Sequence, residues 1–313
     1  MRIFVAGATG AVGRRLVPVL VGAGHAVVGT TTSVEKIDAL AAAGAEPVVV
    51  DGLDPQAVMA AVTTAKPDVV VHQLSALSGP ANIKQLDETF ALTNRLRTEG
   101  LDHLLAAARA AGAGRFVAQS YTGWPNEHTG GPVKTEEDPL DPDPSPQSRK
   151  TLDAIRYLES TVTGTGDLTG VVLRYGTFYG PGTGLGTGGD LLGMIRRRRL
   201  PIVGGGTGVW SFVHIDDAAA ATLAAIENGP AGVYNIVDDD PAPVSEWMPY
   251  LADVIGAKPP LRMPTWLVRP MLGEHGVSMM TAVRGSSNAK AKRELGWKPT
   301  RASWREGFRT GLG

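Results

Sequence analysis

The chain has 313 residues, of which 43% are hydrophobic and 19% are charged, with a net charge of −1. This composition allows a sizeable core and about two domains, and it offers no positive field for nucleic acid or an anionic membrane. The absence of cysteine excludes disulfides, thiolate metal sites and cysteine nucleophiles. Met1 runs directly into a strand-like segment and no apolar stretch reaches ~18 residues, so we expect a cytoplasmic protein without a signal peptide or membrane span.

Short β-branched runs alternate with longer Ala- and Leu-rich segments through the first half of the chain. The short runs predict strands and the longer segments predict helices. Because the runs are apolar without alternation, we expect a doubly wound parallel sheet covered on both faces, which is an α/β fold. The predicted strands are 3–5, 26–28, 47–50, 69–71, 115–118 and 170–174, and the predicted helices are 12–23, 34–43, 99–111 and 151–161.

The composition changes after Tyr179. A glycine-rich loop at 180–189 is followed by short elements and a basic tail that contains tryptophan. We therefore predict a dinucleotide-binding domain over 1–179, to which a later segment at about 208–240 returns. The remainder of 180–313 is predicted to form mainly a smaller, substrate-binding lobe.

A glycine motif joins the first predicted strand to the first predicted helix: Gly7-Ala8-Thr9-Gly10-Ala11-Val12-Gly13. The first glycine allows a tight turn, the second lets a pyrophosphate approach the backbone, and the third lets helix and strand pack closely. The phosphates would lie at the helix N-terminus. The motif therefore predicts a dinucleotide site.

The segment after the second strand bears on the choice of cofactor. It reads Gly29-Thr30-Thr31-Thr32-Ser33 and has no carboxylate before Glu35, while Arg14 and Lys36 supply cations nearby. A carboxylate here would bind the 2′-hydroxyl of NAD, so its absence favours NADP(H) over NAD(H). Asp51 is open to two interpretations, as a contact to the adenine or as a turn residue before Gly52.

Five segments carry a resemblance to a known family. They are GATGAVG at 7–13, DVVVHQLSAL at 68–77, LRYGTFYGPG at 173–182, WSFVHIDDAA at 210–219 and AKRELGWKPT at 291–300. The chain resembles the extended short-chain dehydrogenases/reductases, the group of NAD-dependent epimerases and dehydratases. The resemblance implies a Rossmann domain, a dinucleotide beside 175–178 and a homodimer that pairs through helices such as 99–111. The expected cofactor contacts are Gly7, Thr9, Gly10, Ala11, Val12, Gly13, Arg14, Thr31, Thr32, Asp51, Gly52, Leu53, Leu74, Ser75, Ala76, Gln119, Tyr175, Gly176 and Phe178.

The resemblance fails at the family's catalytic pair, Tyr-x-x-x-Lys. No tyrosine of this chain has a lysine four residues later, and either Pro146 and Lys150 or Gln147 and Thr151 fall at the two places. Tyr121 takes the place of the family's Ser or Thr. As catalytic residues we therefore expect Tyr121 as proton donor and Lys150 as a contact to the ribose, while a tyrosine that only lines the pocket is the alternative.

The expected substrate contacts are Trp124, Thr177 and Trp210. Trp210 stands where sugar-nucleotide enzymes of the family carry an arginine for the diphosphate, which argues against a nucleotide substrate. The leading hypothesis is an NADP(H)-dependent oxidoreductase acting on a small to medium, fairly apolar carbonyl compound or alcohol. A non-catalytic dinucleotide sensor or scaffold and a sugar-nucleotide epimerase or dehydratase with unusual acids remain alternatives. No histidine spacing indicates a metal, and the expected partner is a small molecule rather than nucleic acid or membrane.

Overall fold

The structure, a computed structural model, describes residues 1–77 and 82–313, and only the backbone of Ile83. Short 3-10 helices span Val34–Lys36 and Ile83–Gln85. The strands are β1 (Arg2–Ala6), β2 (Ala26–Thr31), β3 (Glu46–Val49), β4 (Val69–His72), β5 (Arg115–Tyr121), β6 (Val133–Lys134), β7 (Thr169–Tyr175), β8 (Thr177–Tyr179), β9 (Ile202–Val203), β10 (Val209–Trp210), β11 (Phe212–His214), β12 (Gly232–Ile236), β13 (Ala242–Pro243), β14 (Arg262–Met263) and β15 (Gly285–Ser286). The α-helices are α1 (Gly13–Gly22), α2 (Ile37–Ala42), α3 (Pro55–Ala65), α4 (Leu86–Thr89), α5 (Ala91–Arg97), α6 (Glu99–Ala110), α7 (Arg149–Thr163), α8 (Asp190–Arg196), α9 (Ile215–Asn228), α10 (Val244–Val254), α11 (Thr265–Thr281), α12 (Ala289–Glu294) and α13 (Trp304–Thr310).

Seven parallel strands form the central sheet in the order β12-β7-β5-β4-β1-β2-β3. The chain starts in the middle at β1, runs outward to β3 and returns to the other side of β1 with β4. Such a reversal opens a crevice at the carboxyl ends of the two central strands, where doubly wound proteins bind ligands. The α/β fold with a doubly wound parallel sheet is confirmed.

Alternate residues of each strand bury opposite faces of the sheet. In β1, Ile3 and Val5 belong to the core under α1 and α9, whereas Phe4 belongs to the core under α3, α6 and α7. This follows from the period of two in a strand, which sends successive side chains to opposite sides. Both faces are therefore covered, as the unbroken apolar runs predict.

A third core lies outside the sheet. It is rich in aromatic residues, and Trp247, Trp304 and Phe308 are almost wholly inaccessible within it. The segment 208–240 supplies α9 and the edge strand β12 to the central sheet before the chain returns to this smaller core.

Most predicted elements are present, with small differences at their ends. The helix predicted over 34–43 is interrupted, because the 3-10 helix Val34–Lys36 precedes α2. The leucine face of α6, which the resemblance offers for pairing of two chains, packs on the sheet through Leu101, Leu104 and Leu105. No helix within residues 1–77 and 82–313 is both long and apolar enough to cross a bilayer.

Candidate active site

The turn after β1 is built for glycine at two positions. Gly7 has φ +91°, and a Cβ there would lie 2.5 Å from the carbonyl oxygen of Gln73. A Cβ on Gly13 would lie 2.3 Å from the carbonyl oxygen of Gly7. Only glycine allows these two close contacts, so the turn packs tightly against β4 and α1. It therefore presents backbone rather than side chains at the start of α1, which fits a dinucleotide phosphate there.

A cleft of about 580 Å³ opens at the carboxyl ends of the central strands. Fifteen of the predicted site residues line it, and they come from the glycine turn, the start of α1, β8 and the ends of β2, β4, β5 and β7. These residues are Gly7, Thr9, Gly10, Ala11, Val12, Arg14, Thr31, Thr32, Leu74, Ser75, Ala76, Gln119, Tyr121, Tyr175 and Phe178.

Several predicted cofactor contacts lie elsewhere. The Asp51 carboxylate accepts the backbone N–H of Leu53 at 2.9 Å, so it stabilises a turn, and neither residue lines the cleft. Gly52 packs against Leu74, and Gly176 packs against Ser211. Gly13 packs against Gly7 within the glycine turn and does not line the cleft.

The cleft is lined by cations and by no carboxylate among its described residues. Arg14, Lys36 and Arg97 all line it. A Cβ at Gly182 would lie 3.2 Å from Nη2 of Arg14, so this guanidinium reaches across from α1 to the glycine-rich loop that follows β8. The site therefore favours anionic groups.

Tyr121 extends a phenol into the cleft from the end of β5. Its hydroxyl shares a hydrogen bond of 3.3 Å with the Thr177 hydroxyl. Burial raises the pKa of the Tyr121 hydroxyl, and the hydrogen bond from Thr177 opposes this only in part. Behind it, Trp124 lies 6.5 Å from the Tyr121 ring and meets His275 edge-on at 5.1 Å. Trp124 and Thr177 thus support Tyr121 without lining the cleft themselves.

The start of α7 is the segment in which the resemblance expects the family's catalytic pair. Thr151 is fully buried and its hydroxyl donates to Asp87 at 2.6 Å and accepts from the Asn94 amide at 3.0 Å. Lys150 is exposed, does not line the cleft, and donates its backbone N–H to Asp87. One residue turns a side chain by ~100° around a helix, so with Thr151 facing inward Lys150 faces away. The structure therefore does not support a ribose contact from Lys150.

Trp210 is not brought to the cleft either. It is only 8% exposed, its ring lies 4.9 Å from that of Trp247, and its Nε1–H donates to the Met279 carbonyl at 2.8 Å. The structure therefore packs Trp210 into the third core, where a large apolar ring is stabilised by burial, and not into the lining of the cleft.

A buried ion pair lies beneath the end of β5. Arg174 donates to both oxygens of Glu159, at 2.8 and 2.6 Å, and the Ser120 hydroxyl donates to Glu159 at 2.7 Å. Ser120 also lines the cleft, so this network fixes part of its wall.

Tyr175 forms another fixed part of the wall. It accepts from the Gln73 amide at 3.0 Å and shares a hydrogen bond of 2.7 Å with Thr222. Burial raises the pKa of Tyr175 to about 12, so this phenol stays neutral.

Nine residues that line the cleft are not among the predicted contacts, although the sequence already indicated Lys36 as a nearby cation. Most of them stand beside predicted residues at strand ends, and the rule that parallel strands end at one edge would have found them. Arg97 and Leu92 belong to a short helix without any recognisable motif. The missed residues are Thr30, Lys36, Val50, Gln73, Leu77, Leu92, Arg97, Ser120 and, in the glycine-rich loop, Gly182.

Comparison with known proteins places this geometry in context. Residues 3–237 match the model of the NAD dependent epimerase/dehydratase family. A 3-diazoavenalumate denitrifying reductase from a Streptomyces species is 46% identical over 312 residues, which cover 98% of this chain and 99% of the relative. A 4-hydroxy-2-methyl-3-oxo-4-farnesyl-3,4-dihydroquinoline-1-oxide ketoreductase from Stigmatella aurantiaca is 30% identical over 261 residues, 82% of this chain and 74% of the relative. A human epimerase family protein, solved with NADPH, superposes with a TM-score of 0.77 at 19% identity and covers 100% of this chain and 99% of its own.

Proposed function

Because the chain belongs to the NAD dependent epimerase/dehydratase family and is an oxidoreductase that uses a nicotinamide dinucleotide, we propose that it reduces a diazo compound with loss of nitrogen, using NADPH. The observation that carries the proposal is the start of α7. Thr151 takes the inward position of the missing lysine, and its hydroxyl is already bonded to Asp87 and Asn94. In the same register Gln147 falls at the place of the family's tyrosine, and an amide cannot donate a proton as a phenol does.

The chemistry of the acceptor explains why that acid is dispensable. A carbonyl oxygen gains negative charge as it is reduced and needs a proton donor near neutral pKa. The diazonium form of a diazo group, C–N₂⁺, carries a net positive charge, so an incoming hydride neutralises charge and no external proton is consumed. When bound, NADPH would supply a hydride to the outer nitrogen of the diazonium form; the C–N bonding pair then stays on the carbon, the N–H hydrogen leaves as a proton and a proton is taken up by that carbon, so that C–N₂⁺ + H⁻ gives C–H + N₂.

The chain's own residues hold and orient the reactants. The glycine turn and the start of α1 receive the pyrophosphate, while Gln119 and Tyr121 line the cleft at the end of β5. Burial raises the pKa of Tyr121, so its hydroxyl stays protonated and serves as a neutral hydrogen-bond donor.

We further propose NADP(H) rather than NAD(H) as the cofactor. Thr31 and Thr32 line the cleft beside Arg14 and Lys36, and no described residue of its lining is acidic. Hydroxyls and cations suit a 2′-phosphate, whereas a carboxylate at the end of β2 would suit the free 2′-hydroxyl.

A second candidate is the reduction of a ketone with Tyr121 as the acid. It is favoured by the place of Tyr121 in the lining of the cleft and by the 30% identical ketoreductase. The two candidates differ in what Tyr121 does, because only ketone reduction needs its proton.

The test uses NADPH with 3-diazoavenalumate and, separately, a matched ketone, on wild type, Tyr121→Phe and Tyr157→Phe. Tyr157 is exposed and bonded to Asp102, so its variant controls for loss of a remote phenol. We expect one N₂ released per NADPH oxidised with the diazo compound, and a rate in Tyr121→Phe within ~3-fold of wild type. A loss of ~10²–10⁴-fold in Tyr121→Phe, with turnover of the ketone alone, would establish the second candidate instead.

A further inference from the structure

Arg97 brings a positive charge to the cleft on the β4 side of the sheet's reversal point. It is the last residue of α5, which precedes β5 in the chain, and its half-buried side chain lines the cleft. Its nearest polar contact is the Asn94 amide oxygen at 3.5 Å, and its guanidinium lies 6.0 Å from the centre of the Phe90 ring. Within the described residues, no carboxylate forms an ion pair with it.

The surrounding charges do not neutralise Arg97. Glu159 is the carboxylate whose charge acts on it, yet Glu159 already binds Arg174 and Ser120. Burial lowers the pKa of Arg97 to about 10, so the guanidinium remains charged at neutral pH.

His72 adds no charge at this end of the cleft. Its Nε2–H donates to the Leu96 carbonyl at 3.0 Å, and its Nδ1 accepts the backbone N–H of Leu74 at 3.2 Å. Burial, together with the charge of Arg97, lowers the pKa of His72 to about 4. The end of the cleft near β4 and β5 therefore carries a net positive charge.

The phosphates of the dinucleotide have other partners. The glycine turn and α1 receive the pyrophosphate, and Arg14 and Lys36 stand near β1 and β2, on the far side of the sheet's reversal point. A half-buried charge is costly unless it is paired, so Arg97 calls for an anion of its own.

We propose that Arg97 binds a carboxylate of the substrate and thereby selects diazo carboxylates over neutral diazo compounds. This inference rests on the proposed function, since it assigns the substrate's anionic group to a residue of the same cleft. The planar guanidinium offers paired N–H donors that match the two oxygens of a carboxylate. Leu74, Leu77 and Leu92 line the same cleft and offer apolar contact to the rest of the molecule.

The test compares 3-diazoavenalumate with its methyl ester on wild type, Arg97→Gln and Arg97→Lys. Arg95→Gln is the matched control, because Arg95 lies on the same helix but is exposed and paired with Glu99. A hydrogen bond to a charged group is worth ~1.5–3 kcal/mol, so Arg97→Gln should raise KM for the carboxylate ~10–100-fold. We expect kcat, the KM for the ester and the Kd for NADPH to change less than ~3-fold, with Arg97→Lys in between.

Two outcomes overturn the inference. An equal rise in KM for carboxylate and ester would show that Arg97 does not bind the carboxylate. A matching loss of NADPH affinity would show that Arg97 serves the cofactor instead.

Failure of the proposed function is distinguishable from failure of this inference. If wild type turns over neither compound, calorimetry on the NADP⁺-loaded protein still measures the affinity for the carboxylate and the ester. Thermal unfolding of each variant separates a lost contact from a damaged fold.

Discussion

Replacing Thr32 by aspartate should reverse the preference between NADPH and NADH. Thr32 is exposed at the end of β2 and lines the cleft beside Lys36. Two unit charges ~4 Å apart interact by ~1 kcal/mol in water and by more near a protein surface. Against the two charges of a 2′-phosphate, an exposed carboxylate therefore costs ~2 kcal/mol, or ~30-fold in Kd for NADPH.

The assay is calorimetric titration of wild type, Thr32→Asp and Thr32→Asn with both cofactors, at low and high salt. Thr32→Asn matches the aspartate in size without its charge. We expect only Thr32→Asp to lose NADPH affinity strongly, NADH affinity to hold or improve, and the difference to shrink at high salt because exposed charges are screened. The reasoning is refuted if the asparagine variant loses as much as the aspartate variant, or if wild type already prefers NADH.

Two further predictions concern the scaffold of the site. Glu159→Gln leaves Arg174 buried without its partner and should lower the free energy of unfolding by ~3–5 kcal/mol, whereas Glu99→Gln removes an exposed ion pair and should change it far less. Urea unfolding followed by tryptophan fluorescence compares the two variants, and equal losses would contradict the role given to burial. Gly13→Ala places a Cβ 2.3 Å from the Gly7 carbonyl oxygen and should raise the Kd for NADPH at least ~10-fold. Gly22→Ala, whose Cβ would meet nothing within 4 Å, should leave that Kd unchanged. Both values are measured by cofactor titration, and unaltered binding in Gly13→Ala would show that the tight turn is not needed for the cofactor.

The fold was predictable because its signals are local. Runs of β-branched residues such as 69–71 can bury both faces only inside a covered parallel sheet, and the glycine turn at 7–13 fixes where the ligand cradle begins. Both features depend on neighbours in sequence, so no knowledge of distant contacts is needed.

The catalytic end of the site depends on distant contacts instead. Asp87 caps the start of α7 from 64 residues away in the chain, and this contact turns Thr151 inward and Lys150 outward. Trp210 could have lined a pocket or filled a core, and only the position of Trp247 decides between them. Arg97 lies in a helix with no motif, so the sequence alone gives no sign that it reaches the cleft.

Tyr121 and Tyr175, which line the cleft, and His72, which holds the cleft residue Leu74, share one property that bears on its chemistry. Burial raises the pKa of Tyr121, raises that of Tyr175 to about 12 and lowers that of His72 to about 4. None of the three therefore exchanges a proton readily near neutral pH. General acid–base catalysis of carbonyl reduction demands a group that does. A diazonium group is already positively charged, so its reduction depends on orientation and on the exclusion of water more than on a proton donor. A site that keeps the dinucleotide cradle, holds its phenols neutral and offers Arg97 to an anion suits such an acceptor better than it suits a ketone.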